Sequence, residues 1–589
     1  MLSQRALVDA SGIGNSAIQL VGKQIFFTGG SIALIQNQGA QAGSGINIQA
    51  SNFLQLSGTS SDGKIPSGIE IETLGETVGD VMVSTKDLSF EGGAAINSKT
   101  FTEASASNIL LNAFESVEVK GFSFINPTTA SIASGVGSYT FNAGTSGKIA
   151  INAGQLTALD GGTITSGSFG AGAGGDLIIN ANRSVELSGF NPILSSPSQV
   201  AVGAYKSGNS GNLKIISPEV RLRNGGIIAS YTFSSGNAGD ITIEAPSFLS
   251  ITTPVNRSDL SYEFLSGISS YAISPPILIQ QVLGLSSEVS GAARSIKIKT
   301  ERLSLSKGSI TVSNLGTGSA GNVDIDANIV SLKNNSSISA ATALSDGGNI
   351  FIRANNVQLF DSIISASASN PEAAYRLLGI DVTYNLAQTG AGIGGEVTIN
   401  TKTLFSLGNS AITANAFKGR GGNIWINADA YFFSGDSQVE ANSQLGINGA
   451  VQINGLAIDP SGATTAPNTV TEIPEIASAC QGQSGVAESE FIITGVDRLP
   501  LSPNDVPPIK PTWQDNFVSG QVNNNSEEPK LITKKPIQNV EAQGWMEDSY
   551  GNVILTAEAN SGTPYAALSA NLCSEENVSK STVITPIQQ

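Results

Sequence analysis

One pattern constrains this chain more than any other: a Gly followed by a short apolar alternation, returning at fixed intervals. The copies include Gly175-Asp176-Leu177-Ile178-Ile179, Gly211-Asn212-Leu213-Lys214-Ile215, Gly239-Asp240-Ile241-Thr242-Ile243 and Gly321-Asn322-Val323-Asp324-Ile325. They continue with Gly348-Asn349-Ile350-Phe351-Ile352, Gly395-Glu396-Val397-Thr398-Ile399, Gly422-Asn423-Ile424-Trp425-Ile426 and Gly449-Ala450-Val451-Gln452-Ile453. The intervals between these glycines are 36, 28, 82, 27, 47, 27 and 27 residues. The long one hides a degenerate copy at Ser295-Ile296-Lys297-Ile298. The quantum is thus 27 to 28 residues, and larger gaps are a quantum plus an inserted loop. Weaker copies begin at Gly45-Ile46-Asn47-Ile48, with Phe53-Leu54-Gln55-Leu56 as second strand, and at Gly79-Asp80-Val81-Met82-Val83 and Gly147-Lys148-Ile149-Ala150-Ile151.

Each unit holds three alternations. In the unit opened by Gly348 they are Ile350-Phe351-Ile352, Val357-Gln358-Leu359 and Ile363-Ile364-Ser365-Ala366. In the unit opened by Gly321 the inward pairs are expected to be Val323/Ile325, Ile329/Ser331 and Ile338/Ala340. A period of two means a strand with one buried face. Three such strands and three turns make one coil of a triangular solenoid, whose inward residues are buried only by neighbouring coils. The predicted fold is all-β: a right-handed parallel β-helix over residues 1–454, with about a dozen coils. The 66 Gly and 13% charged residues suit short strands joined by tight turns, and do not suit a disordered chain.

The Gly-Asn/Asp pairs Gly211-Asn212, Gly239-Asp240, Gly321-Asn322, Gly348-Asn349 and Gly422-Asn423 are assigned a structural role. The polar side chain is expected at a corner, tolerant of left-handed backbone, forming an amide ladder along the axis. Gly-Gly pairs such as Gly421-Gly422 are expected to be turn glycines. A calcium-binding β-roll needs a nine-residue Gly-Gly-x-Gly-x-Asp repeat, whereas Gly172-Ala173-Gly174-Gly175-Asp176 occurs once and imperfectly.

Two insertions interrupt the coils, near 252–292 and 370–390. The first contains the apolar run Ile277–Leu283; the second, Pro371–Leu378, predicts a short helix with Asn370 as N-cap and Pro at its first position. They either cover an apolar patch or form a binding surface. Residues 455–477 are a linker, 478–575 a small C-terminal region with disordered parts, and 576–589 a flexible end. A hairpin is expected from Glu541–Met546 and Val553–Ala557 around Asp548–Asn552. Cys480 and Cys573 lie outside the repeats; they either pair to close the tail or stay free, and spacing leaves both open.

Several functions are excluded on residue grounds. Histidine is absent, which removes Ser-His-Asp and Cys-His hydrolases and His-ligated zinc. A net charge of −17 without Lys/Arg clusters argues against nucleic acid as partner. No transmembrane segment is expected. A polysaccharide lyase or hydrolase would need about three carboxylates clustered on one face. The best pair, Asp324 and Asp326, faces Phe351 and Arg353 on the next coil, so the chain is expected to be neither enzyme nor cofactor protein.

The stretch Ile227–Ile243 resembles the repeat of cyanobacterial filamentous-haemagglutinin-like exoproteins exported by two-partner secretion. The tail resembles their C-terminal region at Cys480, Glu490-Phe491-Ile492-Ile493-Thr494-Gly495, Leu499-Pro500 and Glu541-Ala542-Gln543-Gly544-Trp545. The resemblance implies an outer-membrane two-partner-secretion transporter as partner of a full-length form. It also implies an extracellular or outer-surface location, and adhesion, aggregation or matrix contact with glycans or other cells. A structural surface filament without ligand, or a β-helical polysaccharide lyase or hydrolase, is the alternative. Residues 1–9 carry no export signal and no Asn-Pro-Asn-Gly motif is found, so the chain is expected to be the distal part of such a protein.

Overall fold

The computed structural model describes residues 1–126, 130–254, 265–275, 277–368, 392–458, 544–547 and 553–556. The chain divides into two units, Met1–Thr464 and Thr465–Gln589. The first is a parallel β-helix. Of the second, the strands Gly544–Glu547 and Val553–Thr556 are described, and they pair antiparallel. Cys480, Cys573, residues 459–477 of the linker and the segment containing Asn370 and Pro371 lie outside the described residues.

Each coil of the β-helix follows one plan. Ile296–Ser306 forms the first and second faces, bent in the middle, and Gly308–Asn314 forms the third. The next coil repeats this with Val323–Lys333 and Ser337–Thr342. Register is strict: Ile296, Val323, Ile350, Val397, Ile424 and Val451 stand in one inward column, each beside the next. All but Val451 on the last coil are fully buried. Burying each such side chain stabilises by about 1.5–3 kcal/mol, and only the neighbouring coils supply the cover.

The bend changes the strand's parity. In Val323–Lys333 two consecutive residues, Asn328 and Ile329, both face outward, and inward alternation resumes at Val330 and Leu332. The expected inward pair Ile329/Ser331 is therefore wrong by one residue. A register slip of one flips every side chain, and the extra outward residue at the bend supplies that slip.

The third face is a sheet of 14 parallel strands, from Leu7–Asp9 to Gln438–Glu440. The count of about a dozen coils is thus low. The coils without the Gly signal account for the difference: the strand Ile109–Lys120 follows Ser107-Asn108, and Leu7–Asp9 precedes the first recognisable copy.

The second turn carries a feature absent from the repeat as read in sequence. Ser67, Ser134, Ser198 and Ser266 are fully buried there. Each Oγ accepts from a Gly N–H of the preceding coil: Gly30 (2.9 Å), Gly93 (2.9 Å), Gly161 (2.8 Å) and Gly225 (3.0 Å). The Ser134, Ser198 and Ser266 hydroxyls donate in turn to the carbonyls of Lys120, Ser188 and Thr252. Left-handed backbone concentrates at this turn, at Asp160, Asn224, Lys307, Asn334 and Asp361.

The glycines at the corner that opens these coils are held there by packing rather than by backbone conformation, Gly45 with its φ of +92° apart. Gly211, Gly239, Gly421 and Gly422 are not left-handed. A Cβ on Gly239 would stand 1.8 Å from the Gly211 carbonyl oxygen, and one on Gly422 1.9 Å from that of Gly395. They are glycine because backbone stacks on backbone at that corner.

The stretch 252–292 is not one insertion. Ser266–Ala272 inside it is a full rung of the third face, and Ile277–Leu283 beyond it is a short helix.

Candidate functional site

Three lengthwise tracks run along the coils. The first is the corner after the opening Gly. Here, at most coils, a side-chain oxygen accepts the backbone N–H of the next coil. Asn212 N donates to Asp176 (2.8 Å), Asp240 N to Asn212 (3.0 Å), Ser295 N to Asp240 (3.0 Å) and Asn322 N to the Ser295 hydroxyl (3.1 Å). Asn349 N then donates to Asn322 (3.0 Å), Glu396 N to Asn349 (2.8 Å) and Ala450 N to Asn423 (3.3 Å). The track satisfies backbone donors that the corner takes out of the sheets. None of Asn212, Asp240, Asn322, Asn349 and Asn423 has a left-handed backbone, so tolerance of that conformation is not why they are there.

The second track is the bend between the first two faces, and the amide-to-amide ladder lies here. Asn152 Nδ2 donates to Asn112 Oδ1 (2.8 Å) and Asn180 Nδ2 to Asn152 Oδ1 (2.9 Å). Asn427 and Asn454 repeat it on Asn400 and Asn427 (2.9 and 2.8 Å). The bend is concave because its inward residues are small, among them Ala50, Thr85, Ala113, Ala153 and Thr300. Two grooves of about 860 and 680 Å³ open along it, the first beside the exposed ring of Phe114 and the second beside Lys299, Glu301 and Asp326. Asp324 is held by Arg353 Nη2 at 2.6 Å on the exposed first face. Among the described residues no group of three Asp, Glu or Cys is placed to hold a metal ion.

The third track is aromatic and runs along the outer edge of the third face. Phe101, Phe141, Phe169 and Tyr205 follow the third-face strands of four successive coils. Their rings stack at centroid distances of 4.9, 5.2 and 4.1 Å, with interplanar angles of 6°, 12° and 12°. Tyr231, Phe233 and Tyr271 continue the column. The outer side of the track changes along its length. Phe101 and Phe141 are 40% and 42% exposed, whereas Phe233, Ile273 and Leu315 are buried in a second apolar cluster completed by Leu285.

Charges gather where the aromatic track begins. Glu70, Glu72 and Lys99 face outward on adjacent rungs, with Lys99 Nζ bonded to Glu70 and 3.8 Å from Glu72. Gln36 donates to Glu72 at 2.6 Å. Burial pushes the Glu70 carboxyl above its ordinary value against the pull of Lys99. Burial works against the charge of Lys99, yet the Glu70 carboxylate, with Glu72 beside it, holds the ammonium above its usual value. Burial likewise raises the phenols of Tyr139, Tyr205, Tyr231 and Tyr271, which keeps them protonated into alkaline pH.

The chain matches no family model, no curated protein and no solved structure. The aromatic track escaped sequence reasoning, although a signal for it exists. Phe141, Phe169, Tyr205 and Phe233 each stand six residues before an opening Gly, at 147, 175, 211 and 239. An aromatic held at one phase of a repeat becomes a column once the repeat is wound.

Proposed function

We propose that this chain is a non-catalytic, secreted or cell-surface adhesin-like protein acting in adhesion, aggregation or matrix contact. Its export would run through an outer-membrane two-partner-secretion transporter, as its resemblance to filamentous-haemagglutinin-like exoproteins implies. One observation carries the reading: register along the fourteen-rung β-helix turns single polar and aromatic residues into lengthwise tracks, each several coils long. Repeated weak contacts along such a track add by multivalency. At the second groove Glu244, Glu301 and Asp326 stand on three successive coils and form no metal-holding group among the described residues, and Asp324, on the coil of Asp326, is spent on Arg353. No helix among the described residues is long and apolar enough to cross a membrane.

The test is retention of beads coated with the purified chain on cells and on polysaccharide films, against beads coated with an unrelated acidic protein. Retention above that control is expected; equal retention would sink the adhesin reading. A reducing-sugar assay on plant and bacterial polysaccharides is expected to stay blank. Release of reducing ends would replace adhesion with a polysaccharide-cleaving activity.

A further inference from the structure

The third face holds a notch that the lengthwise tracks do not explain. Register places Tyr139, Gly167, Gly203 and Tyr231 in one outward column on four successive rungs. Two glycines between two tyrosines leave a gap in an otherwise filled surface. The Tyr231 ring leans over Gly203, where a Cβ would stand 2.2 Å from it, so that end is closed. Gly167 is the buried floor, where a Cβ would meet the Tyr139 ring at 3.4 Å and that of Phe169 at 3.5 Å without a clash. The result is a cavity of about 380 Å³ walled by Tyr139, Phe141, Phe169 and Tyr205, with Thr165, Gln199 and Lys99 on its polar side.

The chemistry of the walls selects a ligand class. Rings supply apolar area with a polar tip, and the tips here are already oriented: Tyr139 Oη is 2.7 Å from Thr165 Oγ1, and Tyr205 Oη is 2.9 Å from Tyr231 Oη. A ligand must therefore offer apolar C–H faces and several hydroxyls together. Lys99 in the lining opposes a cation, which an aromatic cage alone would favour. Glu70 and Glu72 behind it, outnumbering Lys99, oppose an anion. The volume lies at the low end for small-molecule pockets. We propose that this notch binds a neutral pyranose unit of a glycan. The inference rests on the adhesin reading and assigns it a site.

The experiment is isothermal titration of the full chain with neutral gluco-, galacto- and manno-oligosaccharides, with oligogalacturonate and choline as charged controls. Gly167→Leu fills the floor, and Tyr205→Ala removes a wall should the first variant misfold; circular dichroism reports the fold of both. Thr242→Ala, outward on the first face and away from the tracks and grooves, is the comparison. A neutral oligosaccharide is expected to bind the native chain and Thr242→Ala alike, and to lose about tenfold or more in affinity, at least 1.4 kcal/mol, in the two notch variants. No binding by any neutral sugar, binding of a charged control instead, or unchanged affinity in a folded notch variant overturns the proposal. Bead retention separates the two claims. Notch variants that fold and still adhere as the native chain does, without a change in sugar affinity, remove the site and leave adhesion standing. Native chain that binds sugar through the notch but adheres to nothing removes adhesion and leaves the site.

Discussion

The first two faces of the β-helix and its third face are built from the same repeat but treat water differently. On the first two, burial alternates residue by residue, as in Ile296–Ser306. On the third, alternation survives toward the ends, as in Ile32–Asn37 and Ala411–Thr413, but the middle rungs Ser266–Ala272 and Gly308–Asn314 are buried at every position. The outer side of the third face is covered by the second apolar cluster, part of it from the insertion that carries Leu285. Strands covered on both sides lose their alternation and run through small and apolar residues, and Gly267-Ile268-Ser269-Ser270-Tyr271 reads that way. The same winding thus yields two solvated faces and a third that has acquired a second core over its middle rungs. The outer hydroxyls of Ser309, Thr311 and Ser313 are buried there with no hydrogen-bond partner among the described residues.

The sharpest way to break this contrast is to place a charge on equivalent outward alanines. Ala229→Lys on the third face buries an unpaired ammonium and is expected to cost about 3–5 kcal/mol. Ala150→Lys on the first face, half-buried between Leu110 and Ile178, is expected to stay within about 0.5 kcal/mol. Guanidinium midpoints measure both, and equal losses would erase the distinction between the faces.

Alkaline pH is the next lever. The four third-face phenols have folded values above the ordinary one near 10, so the folded state keeps protons that the unfolded chain releases. Their contribution is whole below about pH 10 and is lost progressively above it. Phenolate absorbance during an alkaline titration should show these tyrosines ionising only as the fold is lost. Smooth titration of all 10 tyrosines near pH 10 would place the third-face rings in water.

Smaller effects mark the turns. Ser198→Ala leaves the buried Gly161 N–H without its acceptor and is expected to cost about 1–3 kcal/mol. Asn152→Ala removes an exposed amide from the bend and is expected to cost about 1 kcal/mol or less. A larger loss at Asn152 than at Ser198 would mean that the bend, and not the buried turn, holds the coils together.

The coil period was legible because Ile, Val and Leu return at fixed phase, and the same phase sets the inward column from Ile296 to Ile424. Parity within a coil was not. Nothing in Ala327-Asn328-Ile329-Val330 says that two neighbours point outward, because the bend is set by stacking on Glu301 and Arg302 of the previous coil. The corner acceptors could be named from the Gly-Asn/Asp pairs, whereas their partners could not, since they are backbone N–H groups a full coil away. The buried serines looked like ordinary turn residues. The aromatic column left a trace in its fixed phase before the opening glycines, whereas the notch was invisible for a related reason. Tyr139 and Tyr231 meet Gly167 and Gly203 only through register, and sequence separation conceals it.

The most direct test of the functional account is where the native cell keeps the chain. An immunoblot of extracellular, surface-shaved and intracellular fractions, probed with an antibody to residues 544–556, reads location and apparent mass together. Signal in the extracellular or surface-shaved fraction is the predicted result, at this chain's mass or above it. Signal confined to the intracellular fraction would contradict export, and with it the assignment of these tracks to adhesion.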